Sequence, residues 1–179
     1  MINLVKLPSN IVKFMPLHQQ AIVKEHYNQY KSIVERLDKE IQSIPNIPQQ
    51  PLHNQGGLHD RYLVYAHFFF GSYDWYILDW DRENDILFGY AILAGDAEMS
   101  ELGIVALSEL THYPLVELDF YWSKCTLAEA LHNRYPSYFA EPFTPKVRQK
   151  DWRTKVKAKY CITNKRKKKH ARRRKMGYT

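Results

Sequence analysis

The chain contains little cysteine, and this scarcity limits both its fold and its chemistry. Its 179 residues include only Cys125 and Cys161. Two thiols are too few for a disulfide framework or a thiolate metal site, and low cysteine usage fits a reducing compartment. The sequence also lacks an apolar run of membrane-spanning length, and Met1 to Pro8 lack the long apolar core of a secretory signal. We therefore predict a cytoplasmic protein with no membrane partner.

Recognisable catalytic and cofactor-binding motifs are missing as well. Gly56-Gly57 is not followed by the Lys-Ser/Thr of a phosphate-binding loop, and the eight histidines show no i, i+4 pair of a helical zinc site. Ser108 does not lie in a G-x-S-x-G motif, and no base partner for Cys125 is evident. We therefore expect a protein that is not an enzyme and that has no cofactor.

Two groups of carboxylates raise the question of a metal site. Counting from Asp79, the sixth and twelfth positions of a calcium loop hold neither Gly nor Glu, so that match fails. A metal-dependent nuclease needs carboxylates close together beside a basic residue, and the nearest candidates are Glu117, Asp119 and Lys124. Lys124 lies beyond the predicted strand, so we favour a solvent-facing surface over a nuclease site and predict no metal ligands.

The N-terminal part of the sequence predicts a long helix. Between residues 17 and 44, apolar residues recur at alternating spacings of four and three, and Pro45 and Pro48 end the pattern. Three heptads of this kind also occur in coiled-coil dimers, but the flanking positions show no consistent charge code. We therefore expect this helix to pack on the protein's own sheet and the protein to be a monomer. The following stretch, 45–57, has the composition of a loop.

The central part predicts an antiparallel meander. Aromatic and β-branched segments at 61–70 and 73–80 flank Gly71-Ser72, which suits a two-residue type II′ turn. Further turns are predicted at 81–85 and 94–96, strands at 86–93, 103–107 and 116–122, and a short helix at 108–111. Thr126 and Glu129 form a capping box for a helix that Pro136 stops.

These elements together indicate an α+β fold. We expect an antiparallel sheet of four to six strands, packed with the long N-terminal helix and a shorter C-terminal helix that cover one sheet face.

The charge is divided very unevenly along the chain. The net charge is +7, but residues 146–179 hold 16 of the 26 Lys and Arg residues and one acid, Asp151, which gives this segment +15. Residues 1–145 therefore carry −8. We predict an acidic α+β domain at 1–145 and a basic C-terminal segment at 146–179. Within the latter, the alternating pattern of 154–162 favours an edge strand, and 163–179 has no apolar face and is expected to be disordered.

The central block resembles a bacterial family of unknown function that is common in genes of plasmids, phages and other mobile elements. The resemblance covers roughly residues 68–131. Four blocks carry it: Trp75 to Asp79 with Leu87 to Tyr90, Glu101 to Leu110, Val116 to Trp122, and Thr126-Leu127. The family usually has Arg before the Asp of the last strand, where this sequence has Leu118. The resemblance implies a small α+β domain of mobile-element origin and supplies no catalytic residues.

The basic segment predicts binding to DNA or RNA. Lys and Arg at this density attract phosphates through counterion release, and aromatic residues among them stack on unpaired bases. Docking onto the acidic body, binding to an acidic protein and a tail without a partner remain alternatives. The leading expectation is an accessory protein of a mobile element whose nucleic-acid-binding residues are Trp152, Lys155, Lys157, Lys159, Tyr160, Lys165, Arg166, Lys167, Lys168, Lys169, Arg172, Arg173, Arg174 and Lys175.

An alternative function rests on the acidic body. Residues 71–129 contain 12 acids against Arg82 and Lys124. A surface of this kind could mimic nucleic acid and inhibit a host enzyme, so the partner would be a host or mobile-element protein. The predicted acidic face consists of Asp79, Asp81, Glu83, Asp85, Asp96, Glu98 and Glu101.

Overall fold

The computed structural model describes residues 6–46 and 62–142, which contain five helices and seven strands. The helices are Ser9–Phe14 (α1), Leu17–Glu25 (α2), Tyr27–Gln42 (α3), Leu107–His112 (α4) and Leu127–Arg134 (α5). The strands are Leu63–Val64 (β1), Ala66–Phe70 (β2), Tyr73–Asp81 (β3), Ile86–Leu93 (β4), Asp96–Ala106 (β5), Glu117–Leu118 (β6) and Cys125–Thr126 (β7).

The main sheet confirms the predicted α+β class. Five antiparallel strands lie in the order β5-β4-β3-β2-β6, and β1 and β7 pair in a separate two-stranded sheet. Gly71 has φ +57°, as the predicted turn between β2 and β3 requires at its first central position. Ala94 and Gly95, between β4 and β5, both have positive φ, which is typical of a type I′ turn. None of the helices in the described ranges is long and apolar enough to cross a membrane.

Helices cover both faces of the sheet, so the prediction of one covered face is wrong. On one face, Phe68 and Trp80 pack with apolar residues of α1, α3 and α4. On the other, Tyr76 and Tyr90 pack with residues of α5 such as Leu131. The reason is that β3 and β4 carry large apolar residues on both of their faces, which makes these central strands buried throughout.

The N-terminal region differs from the single predicted helix. The chain leaves helical geometry at His26 (φ −110°, ψ 32°), which separates α2 from α3. A further short helix, α1, precedes them and inserts Phe14 into the core, where its ring centroid is 4.9 Å from that of Trp80. The backbone N–H of Ile11 donates to Asp38 Oδ1 at 3.0 Å and links α1 to α3.

The C-terminal elements are partly as predicted. Thr126 and Glu129 form the predicted capping box: Thr126 Oγ1 accepts from the N–H of Glu129, and the Glu129 carboxylate accepts from the N–H of Thr126. The strand expected at 103–107 is longer and begins at Asp96, whereas the strand expected at 116–122 is reduced to β6. The predicted strand at 154–162 and disorder at 163–179 lie outside the described residues.

Candidate functional site

An open pocket of about 690 Å³ lies on the α5 side of the main sheet. Its floor is formed by His67 of β2 and Tyr76 of β3, both of which are buried. Its walls come from the chain between Asp119 and Cys125 and from the C-terminal half of α5. This volume lies within the range of small-molecule binding sites, and we call this feature the β2–β3 pocket.

The β2–β3 hairpin places His67 next to Asp74. The two-residue turn fixes the register, in which His67 pairs with Tyr76 and Phe69 pairs with Asp74. Side chains two residues apart on a strand point to the same face, so all four lie on the pocket side of the hairpin. The predicted turn at Gly71-Ser72 determines this register. The proximity of His67 and Asp74 could therefore be predicted from the sequence, although it is not among the predictions above.

His67 is held between two carboxylates. Its Nε2 lies 3.0 Å from Asp74 Oδ1, and its Nδ1 lies 3.2 Å from Asp119 Oδ2. Burial on its own would lower the pKa of His67, but the hydrogen bonds and negative charges of Asp119 and Asp74 outweigh it and raise the pKa. The same contacts lower the pKa of both carboxyl groups, although burial opposes this. The three groups thus favour an imidazolium between two carboxylates.

Asp74 has two further partners from the end of α5. The hydroxyl of Tyr135 donates to Asp74 Oδ2 at 2.7 Å, and Arg134 Nε lies 3.5 Å from the same oxygen. The side chain of Asp74 is only 1% exposed, whereas that of Arg134 is half exposed. Arg134 also donates to the carbonyl of Gly71 at 3.3 Å. Asp74 therefore ties α5 to the hairpin and leaves part of the guanidinium accessible to solvent.

These contacts suit binding better than acid–base or nucleophilic catalysis. In the imidazolium form, both ring nitrogens of His67 donate to carboxylates, so neither is available to exchange a proton with a ligand. The free thiol of Cys125 also lines the pocket. Burial, together with the charge of Glu129, raises the pKa of Cys125 to about 11, which keeps this thiol protonated and weakly nucleophilic at neutral pH.

Several aromatic rings line the pocket. The imidazole of His67 stacks on Tyr76 at 4.8 Å and on Phe69 at 5.7 Å between ring centroids, with interplanar angles of 10° and 21°. Trp122 lies 4.9 Å from His67, and its indole N–H donates to the carbonyl of Val64 at 3.2 Å. The rings of Phe69, His67 and Tyr76 therefore cover one another's faces and make a rigid floor, and the aromatic side chain that remains free for a planar ligand is that of Tyr121, which lines the pocket and is 77% exposed.

Arg36 of α3 positions the wall that contains Trp122. Its guanidinium donates to the carbonyl of Trp122 at 2.8 Å and to the carbonyl of Phe120, and it also pairs with Glu40. These backbone carbonyls lie in a segment without regular structure, so the arginine satisfies acceptors that no strand partner satisfies there. The wall of the pocket is thus fixed from the opposite side of the sheet.

The predicted acidic face is not one surface. Asp79 and Asp81 are buried, with 8% and 7% of their surface exposed, so their assignment to an exposed face is wrong. Burial raises the pKa of Asp79. Asp81 instead accepts hydrogen bonds from Asn84 and from the N–H of Glu83, which close the turn between β3 and β4. The Asp81 carboxylate therefore serves the local fold.

The other predicted acids are spread along β4. Glu83 and Asp85 lie in the turn before β4, Asp96 and Glu98 lie near its other end, at the start of β5, and Glu101 lies in the middle of β5, opposite Ala91 of β4. An eight-residue strand is about 26 Å long. Asp85 is also paired with Lys13 at 3.1 Å. The seven predicted residues therefore do not form one continuous exposed face, and a role as a nucleic-acid mimic stays a prediction.

The candidate nuclease residues take separate roles. Asp119 contacts His67, Glu117 is exposed, and the ammonium of Lys124 lies 4.9 Å from the ring centroid of Tyr65. Within 6–46 and 62–142, no group of three or more His, Cys, Asp and Glu side chains has an arrangement that could hold a metal ion.

The predicted nucleic-acid-binding residues lie outside the described part of the chain. This applies to the whole set from Trp152 to Lys175. The β2–β3 pocket is thus a site that the sequence motifs do not predict, and its lining includes Asp119, one of the candidate nuclease residues.

The chain was compared with family models, with curated proteins and with solved structures, and nothing matches in any of the three comparisons.

Proposed function

We propose that the protein binds nucleic acid, DNA or RNA, through its basic C-terminal segment, residues 146–179. The observation that supports this is the +15 charge of that segment beside the −8 charge of residues 1–145. A dense polycation gains binding free energy by releasing the counterions condensed on a polyanion, and this gain does not depend on base sequence. The acidic remainder repels the same polyanion, so the basic segment is the contact that the charges favour.

The α+β domain has the role of a binding module in this proposal. The resemblance to a mobile-element family is the reason to place the protein among the accessory proteins of such elements. The described domain holds the His67 imidazole between two carboxylates and the Cys125 thiol in the protonated form. These features support a role in binding rather than in catalysis.

The proposal is tested with the full-length chain and a charge variant of it. In the variant, the nine basic residues in 165–175 are replaced by Gln. Binding to duplex DNA, single-stranded DNA and RNA is measured over a salt series. We expect the wild type to lose affinity steeply with salt, with a logarithmic slope of about 0.7 to 0.9 for each phosphate contact, and the variant to have a much smaller slope.

A matched control replaces Lys24, Lys31 and Lys39 of α2 and α3 by Gln, because these lysines lie in the acidic part of the chain. It should retain the wild-type salt slope. Equal slopes for the wild type and the 165–175 variant, or no binding by the wild type at low salt, would refute the proposal.

A further inference from the structure

We propose that the β2–β3 pocket binds the base of an unpaired nucleotide, with the nucleotide's phosphate at Arg134. This inference extends the proposed function, because it assigns the α+β domain a contact with single strands in addition to the contact made by the basic segment. It rests on the shape, the aromatic surface and the charge balance of the pocket.

The aromatic surface of the pocket suits a flat heterocycle. The rings of Phe69 and Tyr76 stack on that of His67, with planes 21° and 10° from it, and beside this rigid floor Tyr121 is 77% exposed at the pocket wall. Every base has a π-face, and proteins that bind single strands use exposed aromatic side chains as stacking platforms. An exposed tyrosine beside a ring-lined pocket is an arrangement of this kind.

The charges within the pocket balance each other. The carboxylates of Asp74 and Asp119 face the imidazolium of His67 and the guanidinium of Arg134. A pocket without net charge does not favour a multiply charged group in its interior, whereas a base is neutral and polar. Asn133 and Ser123 are exposed at the lining, and their amide and hydroxyl groups can donate to and accept from the edge of a base.

Arg134 is the proposed phosphate-binding residue at the edge of the pocket. Its side chain is half exposed, and its Nε and one terminal nitrogen already face Asp74 and the carbonyl of Gly71. These contacts fix the guanidinium in place before a ligand arrives, which reduces the entropy lost on binding. The guanidinium has five N–H donors, the side chain is half exposed and lines the pocket, and a guanidinium is well suited to phosphate. The pocket volume of about 690 Å³ leaves room for a whole nucleotide.

The test uses the full-length protein with Tyr121→Ala, Tyr121→Phe and Arg134→Gln. The matched control is Tyr113→Ala, since Tyr113 is also an exposed tyrosine but does not line the pocket. Affinities are measured calorimetrically for a ten-nucleotide single strand, for a duplex of the same length, and for each nucleoside and its monophosphate. Salt is set high enough to weaken the contact of the basic segment.

We expect the single strand to bind more tightly than the duplex. Tyr121→Ala should weaken single-strand binding about 5- to 150-fold, as expected for the loss of one stacked base, and should leave duplex binding unchanged. Tyr121→Phe should retain the affinity, Arg134→Gln should weaken monophosphates more than nucleosides, and Tyr113→Ala should match the wild type. Equal effects of Tyr121→Ala and Tyr113→Ala, or equal binding of single strand and duplex, would overturn the pocket proposal.

The outcomes also separate this proposal from the one on which it rests. If monophosphates bind in a Tyr121-dependent way but no polymer binds at any salt concentration, the pocket is a nucleotide site and the function of the basic segment is refuted. If polymers bind with a steep salt slope and every pocket variant behaves as wild type, the pocket proposal is refuted and the basic segment retains its function.

Discussion

The Nε2 atom of His67 lies 3.0 Å from Oδ1 of Asp74, and both side chains are almost completely buried. The residues belong to neighbouring strands of one hairpin, and Asp74 also receives hydrogen-bond donors from the end of α5. This ion pair therefore connects the sheet to the helix that covers its pocket side. Burying two charges costs desolvation free energy, but removing one of them leaves the other buried without a partner of opposite charge.

Replacement of Asp74 by Ala should destabilise the domain strongly. Asp74→Ala leaves the His67 imidazole and the Tyr135 hydroxyl without this partner, and we expect the free energy of unfolding to fall by about 3–5 kcal/mol. Asp119→Ala should cost less, about 1–2 kcal/mol, because the Asp119 side chain is 26% exposed and water can replace it. Urea unfolding followed by circular dichroism measures both, with Glu101→Ala as an exposed control. Equal costs for the two aspartates would contradict this prediction.

The stability of the domain should depend on pH through the same three groups. The pKa of His67 is raised above 6.5, so its contribution is complete below pH 6.5 and is lost as pH rises through the folded-state pKa. The pKa values of Asp74 and Asp119 are lowered below 3.8, so their contribution is complete above pH 3.8 and is lost as pH falls through the folded-state values. The free energy of unfolding should therefore be highest between about pH 4 and pH 6.5.

A substitution at His67 tests the alkaline side of this profile. His67→Gln removes the titrating group, so the decrease in stability above pH 6.5 should become smaller, although the variant is less stable at every pH. His18→Gln, at an exposed histidine of α2, should leave the profile unchanged. Chemical unfolding at pH values from 4 to 9 measures this. If the free energy of unfolding of His67→Gln decreases above pH 6.5 as much as that of the wild type, another group causes the decrease.

Local signals in the sequence predicted local structure well. The turn at Gly71-Ser72 and the capping box of Thr126 and Glu129 each depend on residues within four positions of each other, and the structure confirms both. The hairpin register that follows from this turn places His67 close to Asp74. The contact between His67 and Asp74, which depends on this one turn, could thus be predicted from the sequence.

Contacts between distant segments were not predictable in this way. The six-residue helix α1 is too short to be stable alone, and it depends on the contact between Phe14 and Trp80. Asp119 reaches His67 across 52 positions of the chain. A bulge between Ile77 and Asp79 also shifts the pairing register of β3, so that Trp80 joins the same core as Ile77. Strict alternation would place those two residues on opposite faces.

Gln19 of α2 completes the hydrogen bonding of β6, and its removal should be costly. Its side-chain amide donates to the carbonyl of Leu118 at 3.1 Å and accepts from the N–H of Leu118 at 2.9 Å, in the manner of a neighbouring strand. Gln19→Ala leaves two buried backbone groups without these bonds, and we expect a loss of about 2–4 kcal/mol. Gln29→Ala, at an exposed position of α3, should change stability by less than about 0.5 kcal/mol. Thermal unfolding compares them, and similar melting temperatures for the two variants would contradict the role of Gln19.

Gly89 and Gly103 face each other across β4 and β5, but a methyl group should be tolerated only at Gly103. A Cβ at Gly89 would lie 2.4 Å from the carbonyl oxygen of Tyr76, next to the bulge of β3, whereas nothing lies within 4 Å of a Cβ at Gly103. Because backbone atoms of a central strand cannot move aside easily, Gly89→Ala should destabilise the domain by about 1–3 kcal/mol or prevent folding. Gly103→Ala should be neutral or slightly stabilising, since alanine loses less backbone entropy on folding. Urea unfolding of both variants measures the difference. Equal unfolding midpoints would contradict the prediction and show that the backbone of β3 moves at the bulge to accommodate the methyl group.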